Sequence, residues 1–359
     1  MPNYQGVWSL STQFQYEMTG NIISATKVEP DGKFENSAAS GVWNLQDQYD
    51  YRRGVNWPST DNPAPRALAV GGGNDDEYLN IMEYWIFATS GNAVDFGDLS
   101  QTSLNSAGMS SSTRGVINIA GGADDLVTYE YVTLATTGNT TDFGDGTVAS
   151  TGGTAAGSST RAVHYNGRSG TPNNTIEYIT IASTGNATDF GDKNANSKLG
   201  TSASSLTRMV QMGNGQGPTD AMEYITIAST GNGTDFGNLG ATWSHCGGAS
   251  SSTRAVIGGG LYSGSATNTI EYITIASTGN ATDFGNLSAS KDRMGNSAAS
   301  NGIVANFFGG TTSSGTSGVV NTIDKVTIAT TSNASDFGDL TSVRYFCAGI
   351  SSHHGGISA

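Results

Sequence analysis

The chain has 359 residues, 50 of them glycine, with 13% charged residues and a formal net charge of −14. Its 16 Lys and Arg are spread mostly one per repeat. A polyanion-binding surface needs clustered cations, so nucleic acid is not expected as a partner. No apolar run reaches membrane-spanning length, and Met1–Gln5 has neither the basic nor the apolar region of a signal peptide, so neither membrane insertion nor a signal sequence is expected.

Residues 1–60 differ from the rest and carry their own internal repeat. Gly6-Val7-Trp8-Ser9-Leu10 running to Tyr16 parallels Gly41-Val42-Trp43-Asn44-Leu45 running to Tyr51, and the second copy continues into Asn56-Trp57-Pro58. Three of the chain's five Trp fall in this arm. Sixty residues barely bury a core of their own, and exposed aromatic groups need a surface to cover them. The arm is therefore expected to dock through Trp8, Tyr16, Trp43, Tyr51 and Trp57, either into a larger assembly or, as the simpler alternative, onto the remainder of its own chain.

From residue 61 a second, longer repeat takes over. The Asp of an Asp-Phe-Gly triplet recurs at Asp95, Asp142, Asp189, Asp235, Asp283 and Asp336, in steps of 47, 47, 46, 48 and 53. A fixed period of this size marks a repeat architecture. Within each unit a Ser/Ala/Gly segment comes first. An Arg (Arg66, Arg114, Arg161, Arg208, Arg254) follows, leading a short apolar run into glycines. A β-branched segment such as Ile176–Ala182 comes next, and Ser-Thr-Gly-Asn turn chemistry leads into Asp-Phe-Gly. Four short strands per unit with no helical pattern between them make one propeller blade. The segment Ile176–Ala182 is apolar or small on both faces, as a blade between two others requires. The small-residue strand is expected at the axis, where only small side chains leave room. The first unit lacks that strand, and the matching segment follows the sixth Asp-Phe-Gly as Tyr345–Ser352. Residues 61–359 are thus expected to form an all-β, six-bladed propeller in which the C-terminal strand completes blade 1 and leaves no open edge.

The glycine pair after the second strand resembles that of the kelch family of propellers, although the later Trp of that family is missing. The run Asn174-Thr-Ile-Glu-Tyr-Ile-Thr-Ile-Ala-Ser-Thr-Gly-Asn-Ala-Thr-Asp-Phe-Gly191 is similar to kelch-like repeats in structural and tail proteins of marine bacteriophages. That resemblance extends over about residues 62–352, and the arm's Asn-Trp-Pro motif resembles segments of phage tail proteins. It implies a virion component, a tail fibre or tail-associated protein made in the host cytoplasm. Other tail, baseplate or capsid proteins would hold the arm, a host-surface glycan or protein would meet the propeller, and the assembly would be a homo-oligomer, with a trimer favoured. A purely structural decoration of capsid or baseplate is the alternative; a glycan-cleaving enzyme is a third reading.

No enzyme, cofactor or metal is expected from the side chains themselves. Catalysis needs an asymmetric constellation, and groups present once per blade are scaffold. Cys246 and Cys347 fall at one repeat position in blades that are not neighbours, so buried thiols are expected rather than a disulfide. His353 and His354 would be a solvated pair near one end of the axis. The Asn-x-Ser/Thr sequons at Asn139, Asn186, Asn232, Asn280 and Asn333 follow from the repeat. In the same loop Asp and Asn are expected to bond the turn backbone, with Phe packing between blades. The repeated Arg should lie against the Glu-Tyr of the next strand as an ion pair or cation–π contact, with Asn301 standing at the Arg position of blade 6 and Lys325 restoring the charge. Function is expected in the blade-specific loops between second and third strands, at Asp75, Asp76, Tyr78, Tyr165, Arg168, Gln216 and Tyr262. Trp243 and Lys291-Asp292-Arg293 are expected at the opposite rim.

Overall fold

A computed structural model describes residues 65–121, 126–167, 173–217, 219–313, 315 and 317–352. The arm residues Trp8, Tyr16, Trp43, Tyr51 and Trp57, and likewise Arg168, His353 and His354, lie outside the described residues. The described chain is all-β, and six antiparallel sheets form a six-bladed propeller. Blade 3 shows the pattern: an inner strand Thr154–Gly157, a second Arg161–Tyr165, a third Thr175–Thr180 and an outer Thr188–Asp192, paired in that order. The ring closes as the sequence demands, with Ala348–Ser351 pairing antiparallel to Arg66–Val70 as the inner strand of blade 1.

Both faces of each inner blade are buried because the third strand carries apolar residues on both. Ile176 packs with Phe190, Met209 and Ile225 towards blade 4, while Ile179 and Ile181 pack with Val116 and Phe143 towards blade 2. The phenylalanine of Asp-Phe-Gly sits at a β-bulge in every blade, where the pairing of third and outer strands shifts register. The bulge turns Phe190 inwards, 2% exposed, and holds it edge-on to Tyr178. Burying a side chain of this size contributes about 1.5–3 kcal/mol. The following glycine has φ between +136° and +154° in the six blades, and a Cβ on Gly191 would collide with the carbonyl oxygen of Gly231 in the next blade.

The turn residues act between blades rather than within the turn. In all six junctions the loop Asn accepts, through Oδ1, a backbone N–H of the preceding blade's outer strand, as Asn139 does from Asp98 (3.0 Å) and Asn92 from Asp339 (3.1 Å). Asp95, Asp142, Asp189, Asp235, Asp283 and Asp336 are exposed and accept no hydrogen bond among the described residues, contrary to expectation. The bulge points them outwards, where charge on an exposed edge strand discourages pairing with another chain.

The repeated Arg forms the cation–π half of the expected contact. In five blades its guanidinium lies 4.2–4.6 Å from the centroid of the tyrosine ring and donates to a carbonyl of the next blade, as Arg254 Nη1 does to Ile328 O (3.0 Å). The neighbouring Glu turns the other way and accepts from the preceding blade, so no Arg–Glu ion pair forms at this position. Blade 6 corrects a second expectation. Asn301 takes the turn-capping place of Ser251, accepting from the N–H of Ile303 and Val304, and Val304 occupies the arginine position. Lys325 makes no ion pair or ring contact among the described residues, so it restores nothing.

The axis is sealed twice. At one end of the inner strands Ser110, Ser351, Ser300, Ser250 and Ser204 each donate their hydroxyl to the matching carbonyl of the preceding blade (2.6–2.8 Å), the last to Gly157. At the other end a closed collar of backbone N–H···O=C bonds (2.6–3.2 Å) runs through Asn105, Gly152, Leu199, His245, Gly295 with Arg293, and Phe346. These residues all hold φ between +46° and +69°, which aims each N–H sideways at the neighbouring blade instead of along its own strand. Asn296 completes the seal, donating across the axis to Gly153 O (2.9 Å) and Ser106 O (3.3 Å).

Candidate functional site

Apart from the exposed Asp of Asp-Phe-Gly, the repeated polar residues are used up in holding blades together, so the departures from the repeat carry the individuality of this ring. They gather at the rim where second strands hand over to third strands and outer strands to inner ones. In an antiparallel four-strand blade these two kinds of connection share one end. Trp243–Ser244 accordingly pairs with Leu261–Tyr262, Asp292 bridges Thr311, and Gly73 bridges both Tyr78 and Tyr345. Trp243 and Lys291-Asp292-Arg293 therefore belong to the same rim as the blade-specific loops, not the opposite one.

Of the loop residues singled out from sequence, Asp75, Asp76, Tyr78 and Gln216 are exposed at this rim, Tyr78 at 43%. Gly73 bridges both Tyr78 and Tyr345, and the Arg293 guanidinium lies 5.8 Å from the Tyr345 ring centroid; burial with the charges of Tyr78 and Asp75 raises the Tyr345 pKa against the pull of Arg293. Tyr165 is not a loop residue. It lies in the strand Arg161–Tyr165, 1% exposed, with its hydroxyl unpartnered among the described residues. Its position after the apolar run Ala162-Val163 extends the strand, and a tyrosine on that face points into the junction with blade 4. Tyr262 is half-buried, stacked edge-on against Trp243 at 4.9 Å between ring centroids.

Two buried polar groups were not legible as sites in the sequence. Between blades 2 and 3, Tyr129 donates its hydroxyl proton to Glu177 Oε1 (2.7 Å), and its oxygen lies 2.6 Å from His164 Nδ1. A hydroxyl has one proton, so His164 Nδ1 carries its own and donates back. His164 is 1% exposed, and its Nε2 has no partner. Burial pushes the Glu177 pKa up, but hydrogen bonds from His164, Thr147 and Tyr129 outweigh it and hold the carboxyl at about 2. Gly146 stands where other blades carry a large residue such as Leu239, and a Cβ there would press on Glu177 and Tyr129.

Between blades 3 and 4 the same sequence position holds Lys193, where Leu99, Leu239, Leu287 and Leu340 stand in four other blades. Lys193 is 4% exposed, and its ammonium donates to Asn166 O and to Ser197 O (3.1 Å). Burial lowers its pKa to about 8 despite the charge of Glu223. Glu223, 8% exposed, has its pKa raised by burial against the pull of Asn194 N–H and Lys193. Beside it a cleft of ≈ 130 Å³ opens at the rim, lined by Asn194, Ala195, Gln211, Met222, Glu223 and Asp235 among others.

What distinguishes Glu223 is its free oxygen. Glu83, Glu130, Glu177 and Glu271 each use both carboxylate oxygens, with Thr341, Ser100 and Thr140, Thr147 and Tyr129, or Gly240 and Tyr262 as donors. Among the described residues Glu223 accepts only from Asn194 N (2.9 Å), through Oε2, and its Oε1 has no donor. Gln211, 5% exposed, donates through Nε2 to Gly213 O, and its Oε1 likewise accepts nothing. An acceptor-rich cleft with an apolar part is a binding geometry; nearby, burial and then the charge of Glu223 raise the pKa of Tyr165.

No known protein-family model matches the chain, and no curated protein matches its sequence at a significant level.

Proposed function

We propose that the chain is a non-enzymatic component of a bacteriophage particle, in which the arm docks onto other virion proteins and the propeller rim contacts the host surface. The likeness of its repeat to kelch-like phage tail proteins supports the setting. The observation that carries the recognition role is the division of labour within each blade: most repeated polar residues are consumed in inter-blade bonds, while exposed, non-repeated side chains such as Asp75, Asp76, Tyr78 and Gln216 collect at one rim. Sites of this kind are grafted onto a fold rather than implied by it. Immunogold labelling of intact particles with an antibody raised against the propeller is expected to mark the distal end of a fibre or tail. Label confined to capsid or tail body would leave a structural role, and unlabelled particles would remove the virion reading.

A further inference from the structure

We propose that the cleft between blades 3 and 4 is a saccharide pocket that takes one terminal sugar ring lacking a carboxylate. The choice of a sugar over another hydroxyl-rich ligand rests on the host-surface reading above; the pocket itself rests on its geometry. Three observations converge. The first is the pair of orphaned acceptors: Glu223 Oε1 and Gln211 Oε1 face the cleft from side chains more than nine-tenths buried, and neither has a donor among the described residues. Both oxygens are open to the cleft and can accept from a ligand that supplies hydroxyl or amine protons.

The second is the arrangement of the walls. Met222, Ala195 and Ala221 give an apolar surface beside the acceptors, while the Asp235 carboxylate lies across the strand pair from Glu223. A sugar ring presents such a pairing, with C–H groups on one face and hydroxyl donors at its edge. The third is charge. Two carboxylates, Glu223 and Asp235, stand on the cleft wall, while the Lys193 ammonium that acts on Glu223 is buried and tied to Asn166 O and Ser197 O. Like charge is repelled, so acidic sugars are refused and neutral or amine-bearing ones accepted. The equivalent glutamates elsewhere in the ring are capped by hydroxyl or tyrosine donors, so one junction alone is open in this way among the described residues.

Saturation-transfer NMR on the full chain, with galactose, glucosamine and glucuronate each at millimolar concentration, tests the proposal. Transfer is expected to galactose or glucosamine and not to glucuronate. Glu223→Gln should weaken binding about tenfold, the size of one charge-assisted hydrogen bond. Ala195 is exposed, so Ala195→Trp fills the cleft without disturbing the core and should abolish transfer at an unchanged melting temperature. Asp75→Asn, on the far side of the rim, should leave it intact. Transfer to none of the sugars, preferential transfer to glucuronate, or transfer surviving in Ala195→Trp overturns the pocket. Distal immunogold label without sugar binding would remove the pocket and keep host recognition; sugar binding with label on the capsid would do the reverse.

Discussion

Two of the junctions that depart from the repeat do so in opposite directions. Between blades 6 and 1 the Arg–Tyr latch is absent, with Val304 and Lys325 in its two positions, but Leu340 is kept and the space is filled by aromatic groups. Trp85 stands where other blades have Ile or Val, lies edge-on to Phe308 at 5.1 Å between centroids, and donates Nε1–H to Asn306 Oδ1 (3.0 Å). The fully buried Arg344–Glu83 ion pair ties the C-terminal segment to the first sheet at blade 1. Between blades 3 and 4 the latch is kept, Arg161 lying 4.3 Å from the centroid of Tyr178 and donating to Ile227 O and Ala228 O, but the leucine has become a buried lysine and a cleft remains. Residues 340–347 carry the chain across the first junction into the inner strand of blade 1, but hydrogen bonds alone hold that strand to Arg66–Val70, and dense packing secures this closure. The second lies inside a continuous chain, where a loss of packing is tolerated and a site can be carried. The comparison teaches that departures from a repeat have a sign: some add stability where topology is weak, others remove it where chemistry is placed.

If that reading holds, the closing junction should be the most sensitive place in the ring. Trp85→Ala deletes a buried aromatic together with its hydrogen bond and should cost about 3–5 kcal/mol. Denaturant unfolding of the full chain measures it, and a loss no greater than that of a surface substitution would deny the closing junction its special role. The latch is worth less. Arg161→Ala removes a cation–π contact and a half-exposed pair of carbonyl hydrogen bonds, together about 1–2 kcal/mol. Arg161→Lys should recover only part of this, because an ammonium cannot lie flat on the Tyr178 ring while reaching both carbonyls. Full recovery in the lysine variant would reduce the latch to simple charge.

The fold was legible because its information is local and repeated. The β-branched run of Ile176–Ala182, the Ser/Ala/Gly inner strand and the missing first strand specify blades, axis and closure without any long-range knowledge. The phenylalanine's place between blades was legible for the same reason. The roles of the polar repeat residues were not. Asn139 looks like a turn residue because its bond to Asp98 spans 41 positions, and only the pairing of adjacent blades brings the two together. Asn301 looked like the blade 6 counterpart of arginine because alignment by residue count slips at that turn, where Asn replaces Ser251 in capping the backbone. The rim of Trp243 and Asp292 was misplaced although simple strand counting decides it. The site was the least legible part. Tyr165 continues the run Ala162-Val163 but borders the blade-specific residues, so strand and loop meet there in sequence, and Glu223 is one of five similar glutamates until the donors around each are compared. One signal was available: Lys193 breaks a position held by leucine in four blades, and a charge at a core position is the kind of local contradiction that marks a functional place.

That contradiction can be measured directly. Lys193→Leu restores the residue found at the same position in four other blades and removes a desolvated ammonium, at the expense of leaving Asn166 O and Ser197 O without their donor. The balance is expected to stabilise the ring by about 1 kcal/mol at neutral pH, in the range typical of consensus substitutions. Its pH dependence identifies the cause. Burial depresses the lysine to about 8 in the folded chain from an ordinary value of 10.5, so between these values the unfolded chain binds more protons than the folded one. Stability of the parent protein therefore rises as pH climbs through that window, and its burial penalty is fully present below it. Lys193→Leu should remove this rise, so that its advantage is largest below pH 8 and shrinks towards pH 10.5. An advantage that stays constant across the window would mean that the gain comes from packing alone. In that case the lysine is neutral to stability, and junction 3/4 would not be the strained counterpart of the closing junction.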